Sequence, residues 1–282
     1  MSNVTGMTEH FLEVVLPSEE PDLDPARPAE LARLAEDLGY HAAWLPDHLI
    51  PPGAYGEVFG GVYEPLVTLA HIAALTSRIR LGTSVLIVPL REPYALAKQV
   101  ATLDRLSGHR FTLGVGSGWN EPEFAEVGAG FGDRGKRTDA TLDLLAELFR
   151  TGRGPGGGYF EPRPAGPVPI SVGGNSAVAL RRAARIGAGW TSAGLSPAEF
   201  GERARELKAM TTGGEPPLTA GTQDRERRLT ARMEWDGTDL AAAVALFRAY
   251  ILAGADAVAV HFGPAGTFEQ RMTTFAEAVA GP

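Results

Sequence analysis

What most constrains this chain is the regularity with which β-prone and helical segments take turns along it. Short apolar runs recur at Phe11 to Leu16, His41 to Leu45, Ile79 to Val88, Phe111 to Val115, Ile170 to Val172, Trp190 to Ala193, Leu229 to Glu234 and Ala257 to Phe262. Between and after them lie segments with helical periodicity: Pro28 to Leu38, Pro65 to Leu75, Pro93 to Leu106, Thr138 to Phe149, Ser176 to Ile186, Pro197 to Lys208, Leu240 to Leu252 and Phe268 to Ala278. Eight such pairs is the count that closes a (β/α)₈ TIM barrel, here as one domain over residues 1–282. An open doubly wound sheet is the alternative that the same alternation allows. Three stretches fall outside the pattern. Pro51 to Tyr63, rich in proline, glycine and aromatics, has the length of a lid; Thr151 to Pro169 holds too much glycine and proline for a regular element; Thr211 to Arg228 reads as poorly ordered. The residues before Phe11 read as a frayed tail.

Composition removes whole classes of function. Hydrophobic residues at 44% supply a sizeable core, and a formal charge of −8 argues against nucleic acid or an acidic membrane surface as partner. With no cysteine there is no disulfide, thiolate nucleophile or cysteine-ligated metal centre, which fits a cytoplasmic protein. The N-terminus lacks the segments of a secretory signal, and the apolar run around Val85 to Leu90 is far too short to span a bilayer. The six histidines show no HExxH or HxH spacing, so no metal is expected. GxxxxGK[ST], GxGxxG and GxSxG are also missing from the candidate loops.

In a barrel the residues just after each strand converge on one mouth, and chemistry is expected there. Asp47 and His48 follow the second strand, and a histidine beside a carboxylate suits proton transfer near neutral pH. Thr83, Ser84 and Val85 end the third. After the fourth comes Gly114-Val-Gly116-Ser117-Gly118-Trp119-Asn120, whose alternate glycines let a backbone bend or let a flat ligand lie against it. Gly173, Gly174, Asn175 and Ser176 open a helix with Arg181 and Arg182 further along. Free N–H groups at such a start bind phosphate. Thr191, Ser192, Glu234 and His261 complete the ring.

Together, WLPDH at Trp44 to His48, LGTSV at Leu81 to Val85, LGVGSGW at Leu113 to Trp119 and SVGGNSAVALRRAARIGAGW at Ser171 to Trp190 resemble the luciferase-like flavin and deazaflavin oxidoreductases, most closely the branch dependent on coenzyme F420. The resemblance covers about Phe11 to Ala193 and is looser beyond. It implies a barrel holding a tricyclic ring across its mouth, with His48 as the proton-transfer group and Asp47 catalytic beside it and touching the cofactor. It implies a non-proline cis peptide at Ser84-Val85 beneath the ring. Cofactor contacts are then expected from Asp47, Thr83, Ser84, Val85, Gly116, Ser117, Asn120, Thr191 and Ser192, and phosphate contacts from Gly173, Gly174, Asn175 and Ser176. Where sugar-phosphate dehydrogenases of this branch carry an acid after the fourth strand, this chain has Trp119. Where they carry a tryptophan after the histidine, it has Pro51 and Pro52, so a sugar phosphate substrate is not expected. Ala188 likewise replaces a usual aspartate. The expected activity is F420-dependent hydride transfer to or from a small alcohol, carbonyl or activated alkene. The alternatives are an FMN-dependent monooxygenase fed by a separate reductase and a non-catalytic cofactor carrier. Family members often form homodimers.

Overall fold

The computed structural model describes residues 11–18, 20, 23–51, 53, 63–186, 188–211 and 228–281. Most of the expected lid and of the stretch between Thr211 and Arg228, and all of the tail before Phe11, lie outside the described residues. In chain order the strands are β1 (Phe11–Val15), β2 (Ala42–Leu45), β3 (Arg80–Thr83), β4 (Leu86–Ile87), β5 (Phe111–Gly116), β6 (Ile170–Gly173), β7 (Gly189–Thr191), β8 (Leu229–Glu234) and β9 (Ala257–His261). The helices are α1 (Arg27–Asp37), α2 (Pro65–Leu75), α3 (Pro93–Leu106), α4 (Glu121–Glu126), α5 (Arg134–Thr151), α6 (Ala177–Ile186), α7 (Pro197–Thr211), α8 (Leu240–Leu252) and α9 (Ala265–Ala280).

All pairings are parallel, and the order β3-β2-β1-β9-β8-β7-β6-β5-β4 is closed by pairing of β5 with both β3 and β4. The chain therefore forms the expected closed (β/α)₈ barrel. The single third strand read from Ile79 to Val88 is broken into β3 and β4, two halves of one stave, followed by a 3₁₀ turn at Val88–Leu90. Two further departures are the start of α5 at Arg134, ahead of Thr138, and the separate short helix α4.

The alternation of strand side chains sorts the chain into two cores. Outward-facing Val14, Ala43, Leu45, Leu81, Leu113, Val115, Val172, Trp190, Ala231 and Val260 join the helices in one large apolar cluster. Helices form where caps and stripes agree: α3 has Pro93 in its first turn, Glu92 accepting the Ala95 N–H at 2.6 Å, and a buried row of Leu96, Ala97, Val100, Ala101 and Leu103. Inside the barrel the side chains are smaller and more polar. Val15, Ala42, Trp44 and Ala259 form a separate small cluster. Beneath it, Glu13, Trp44, Arg80, Thr112, Ser171, Arg228 and Thr230 line a void of about 30 Å³. The Trp44 indole donates to Glu13 Oε2 at 2.8 Å and lies over Gly82, where a Cβ would come within 2.3 Å of the ring. Tryptophan and carboxylate thus plug the barrel below its mouth. Among the described residues no helix is long and apolar enough to cross a membrane.

Candidate active site

Beyond β2, Asp47 and His48 find their partners in different places. Both carboxylate oxygens of the buried Asp47 are engaged by protein: Oδ2 accepts the Ile87 N–H at 2.8 Å and Oδ1 meets the Arg91 guanidinium at 2.5 Å. Arg91 also reaches Glu64 at 2.6 Å, and Glu64 caps α2 through the Val67 N–H at 2.7 Å. Burial pushes the Asp47 carboxyl up, while Arg91 and the Ile87 N–H pull the other way. Asp47 thereby fastens the end of β2 to β4 and α2.

The carboxylate that pairs with His48 is Glu123, 75 residues further along the chain and in the first turn of α4. Its Oε2 lies 2.9 Å from His48 Nδ1, and its Oε1 accepts the N–H groups of Leu49 at 2.7 Å and Ile50 at 3.1 Å. Both side chains are almost wholly withdrawn from solvent. A carboxylate on Nδ1 holds a proton on that nitrogen and leaves Nε2 as the one for exchange. Trp119, 59% exposed, stands edge-on to the imidazole with ring centroids 5.9 Å apart.

The Ser84–Val85 peptide joining β3 to β4 is cis, at the position expected. Around it the strand ends close in. Ser84 N–H donates to Leu45 O at 2.7 Å, Thr83 Oγ1 donates to Gly114 O at 2.7 Å, and Arg232 of β8 donates to Ser84 O at 3.1 Å. The alternate glycines of β5 have a packing role here rather than a bending one. A Cβ on Gly114 would sit 1.7 Å from Thr83 O, and one on Gly116 or Gly173 would sit 2.5 Å from a Val85 methyl. Val85 fills the space those two glycines leave open, so Asp47, Ser84, Val85, Gly116 and Gly173 meet at one mouth. Ser117 lies beside them, its hydroxyl 3.0 Å from that of Thr138, and Asn120 is buried at the start of α4 without capping it.

At the neighbouring strand ends, Gly174 adopts a φ of 116° that glycine accommodates, and its carbonyl accepts the Trp190 indole at 2.8 Å. Asn175 bonds Ala193 O at 2.7 Å, and Ser176 caps α6 by accepting the Ala179 N–H at 3.2 Å. Thr191 turns inward to Ser171 at 2.7 Å. The Ser192 hydroxyl, 1% exposed, is left without a hydrogen-bond partner. Arg182, grouped in the sequence with this helix start, is taken up by Asp139 of α5 at 2.7 Å. Its side chain is too far down α6 to serve an anion at the first turn. The remaining first-turn N–H groups of α6 and the orphaned Ser192 hydroxyl are donors of the kind a phosphate requires.

Across the mouth, β8 and β9 bring Arg232, Glu234 and His261. Burial pushes His261 below the usual imidazole range; Glu234 opposes this, Arg232 reinforces it and Glu20 opposes it. Among the described residues no group of three or more metal-ligating side chains is assembled.

A family model described as luciferase-like monooxygenase matches residues 9–278. The chain belongs to this family. A 4-hydroxyprotoasukamycin monooxygenase of Streptomyces nodosus subsp. asukaensis is 34% identical over 203 residues, which take in 66% of this chain and 52% of that enzyme. Among solved structures, an F420-dependent secondary alcohol dehydrogenase in complex with an F420-acetone adduct superposes with a TM-score of 0.78, at 14% identity, over 97% of this chain and 100% of that one. The oxygenating constituent of 3,6-diketocamphane monooxygenase from Pseudomonas putida, in complex with FMN, gives 0.63 at 15% identity over 84% of this chain and 70% of that one. Structural neighbours thus include one that works with F420 and one that holds FMN, and this chain shares their barrel.

Proposed function

We propose that this luciferase-like barrel is a coenzyme F420-dependent oxidoreductase acting on a small alcohol, carbonyl or activated alkene. The observation that carries the reading is the His48–Glu123 couple at the barrel mouth, 2.9 Å apart and shielded from water. Bound deazaflavin supplies a carbon that gives or takes hydride. The protein's part is then to orient the substrate and handle one proton. Oxidation of an alcohol releases a hydride from carbon and a proton from oxygen, and His48 Nε2 takes that proton. Glu123 holds the ring in position and stabilises the imidazolium that results. Val85 and the Ser84 peptide, packed closely against Gly116 and Gly173, would supply the surface that holds the deazaflavin. The first turn of α6, with Ser192, would hold the cofactor's anionic tail.

The second reading, an FMN-dependent monooxygenase using reduced flavin and oxygen, is favoured by the 34% identity to a named monooxygenase. Separate titrations of the protein with F420 and with FMN, followed by cofactor fluorescence, divide the two. Saturable quenching of F420 with weaker or no response to FMN is expected. Tight FMN binding with indifference to F420 would overturn the first reading in favour of the second.

A further inference from the structure

Resting on the reading that His48 handles the proton of an alcohol or carbonyl substrate, we propose that this substrate carries an aromatic ring beside its reacting carbon, and that Trp119 selects it. Exposed apolar side chains elsewhere, such as Leu106, Val178 and Leu252, are spread over the outer helices. Leu49, Ile50 and Trp119 instead gather at the His48–Glu123 couple. The Leu49 and Ile50 N–H groups are held by Glu123 Oε1 at 2.7 and 3.1 Å, and the Trp119 and His48 ring centroids are 5.9 Å apart. All three side chains are exposed. Scattered apolar residues on a surface are ordinary, whereas apolar residues left open together beside a proton-transfer group are placed to meet a ligand.

The backbone fixes where Trp119 emerges. Gly118 adopts a φ of 78°, and a Cβ there would lie 2.7 Å from the Phe124 ring and 2.9 Å from an Ile87 methyl. The Gly118 carbonyl accepts the Arg134 guanidinium at 3.2 Å, and Asn120 on the other side is buried. Trp119 is therefore carried by a chain held before and after it, and its open surface is offered with little backbone freedom to lose on binding. The carboxylates nearby are spent within the protein. Both Glu123 oxygens are engaged by His48, Leu49 and Ile50, and both Asp47 oxygens by Ile87 and Arg91. A polyhydroxylated substrate would give up water here without gaining those acceptors. An aromatic ring gains burial against Leu49 and Ile50 and a π-contact with the indole.

The test is isothermal titration calorimetry with butan-2-one, cyclohexyl methyl ketone and acetophenone, on the protein saturated with oxidised F420 and on the protein alone. A ketone and an oxidised deazaflavin have no hydride to exchange, so binding is read without turnover. The three ketones share the methyl carbonyl and differ in the group beside it. Wild type is expected to bind acetophenone about tenfold more tightly than butan-2-one and about threefold more tightly than cyclohexyl methyl ketone, which has similar bulk but no π-face. Trp119→Ala should abolish the preference for acetophenone over the cyclohexyl compound, Trp119→Phe should keep most of it, and Ile50→Ser should weaken both bulky ketones about threefold. Absence of acetophenone binding to wild type, equal affinity for the two bulky ketones, or a preference that Trp119→Ala leaves unchanged overturns the proposal while leaving the oxidoreductase reading standing. Should Trp119→Ala not fold, unchanged affinities in Ile50→Ser overturn it in the same way. The expected preferences in a protein that does not bind F420 would overturn the F420 reading and leave the selection by Trp119 in place.

Discussion

Asp47 and His48 are neighbours in sequence, yet they serve separate structures. His48 belongs with Glu123, and the consequence is testable at single side chains. Glu123→Gln preserves shape and one hydrogen bond but removes the charge that stabilises a protonated imidazole. Turnover should fall by about 10²-fold, within the range that a positioned acid–base pair supplies, while cofactor affinity stays within about threefold. Steady-state kinetics beside a fluorescence titration checks this, and equal loss of both would mean that Glu123 holds the fold rather than His48. The glycines lead to a different prediction. Adding a methyl at Gly173 or Gly116 forces Val85 aside from 2.5 Å, and such overpacking costs about 1–3 kcal/mol. Urea denaturation of Gly173→Ala should show that loss, and Val85→Ala in the same chain should recover part of it.

Among elements, the junction of β2, β4 and α2 depends on the buried Asp47–Arg91 pair and on Glu64. Arg91→Met leaves the Asp47 carboxylate without its counter-charge, and removing one partner of a buried pair costs about 3–5 kcal/mol. Chemical denaturation should register it, with the double variant Asp47→Asn, Arg91→Met less destabilised than the single one. None of this was legible locally. The alternation of strands and helices was, because period 2 and period 3.6 are written in the order of residues. WLPDH and LGTSV could be placed at the ends of β2 and β3 because each continues a short apolar run. Glu123 stood in plain view as part of an acidic helix start, but its partner lies 75 residues away and only closure of the barrel brings them together. Arg91 and Arg232 were hidden likewise. The glycines around Trp119 were visible, though their cause was not. Small residues are required both by a ligand and by a neighbouring valine, and sequence does not distinguish the two. Asp47 shows the converse, since sequence neighbours need not be partners: it meets Ile87 and Arg91 while His48 meets Glu123.

For the molecule as a whole, two carboxylates of opposite behaviour set how stability varies with pH, one on the helical shell and one inside the barrel. Glu36, near the end of α1, loses some of its charge preference to desolvation, but the N–H groups of Ile79, Arg78 and Ser77 outweigh this and hold its pKa at about 2. Its contribution is present above its ordinary value of 4.5 and is lost as pH falls towards 2. Glu13, plugging the barrel with Trp44, is different. Burial lifts its pKa from 4.5 to about 7, although the Trp44 indole, Arg228 and Arg80 all favour its charged form. The folded chain therefore holds a proton that the unfolded chain releases between those values. Stability from this group is full below pH 4.5 and declines as pH rises through 7, by about 1.4 kcal/mol per unit in between. Glu13→Gln mimics the protonated form, keeping the acceptor for Trp44 and removing the titration. The stability of Glu13→Gln relative to wild type should therefore rise by about 2 to 3 kcal/mol between about pH 5 and pH 8, measured by urea denaturation across that range. A difference that stayed flat with pH would place the Glu13 proton elsewhere, and one that fell would mean that Arg228 and Arg80 hold Glu13 ionised in the folded barrel.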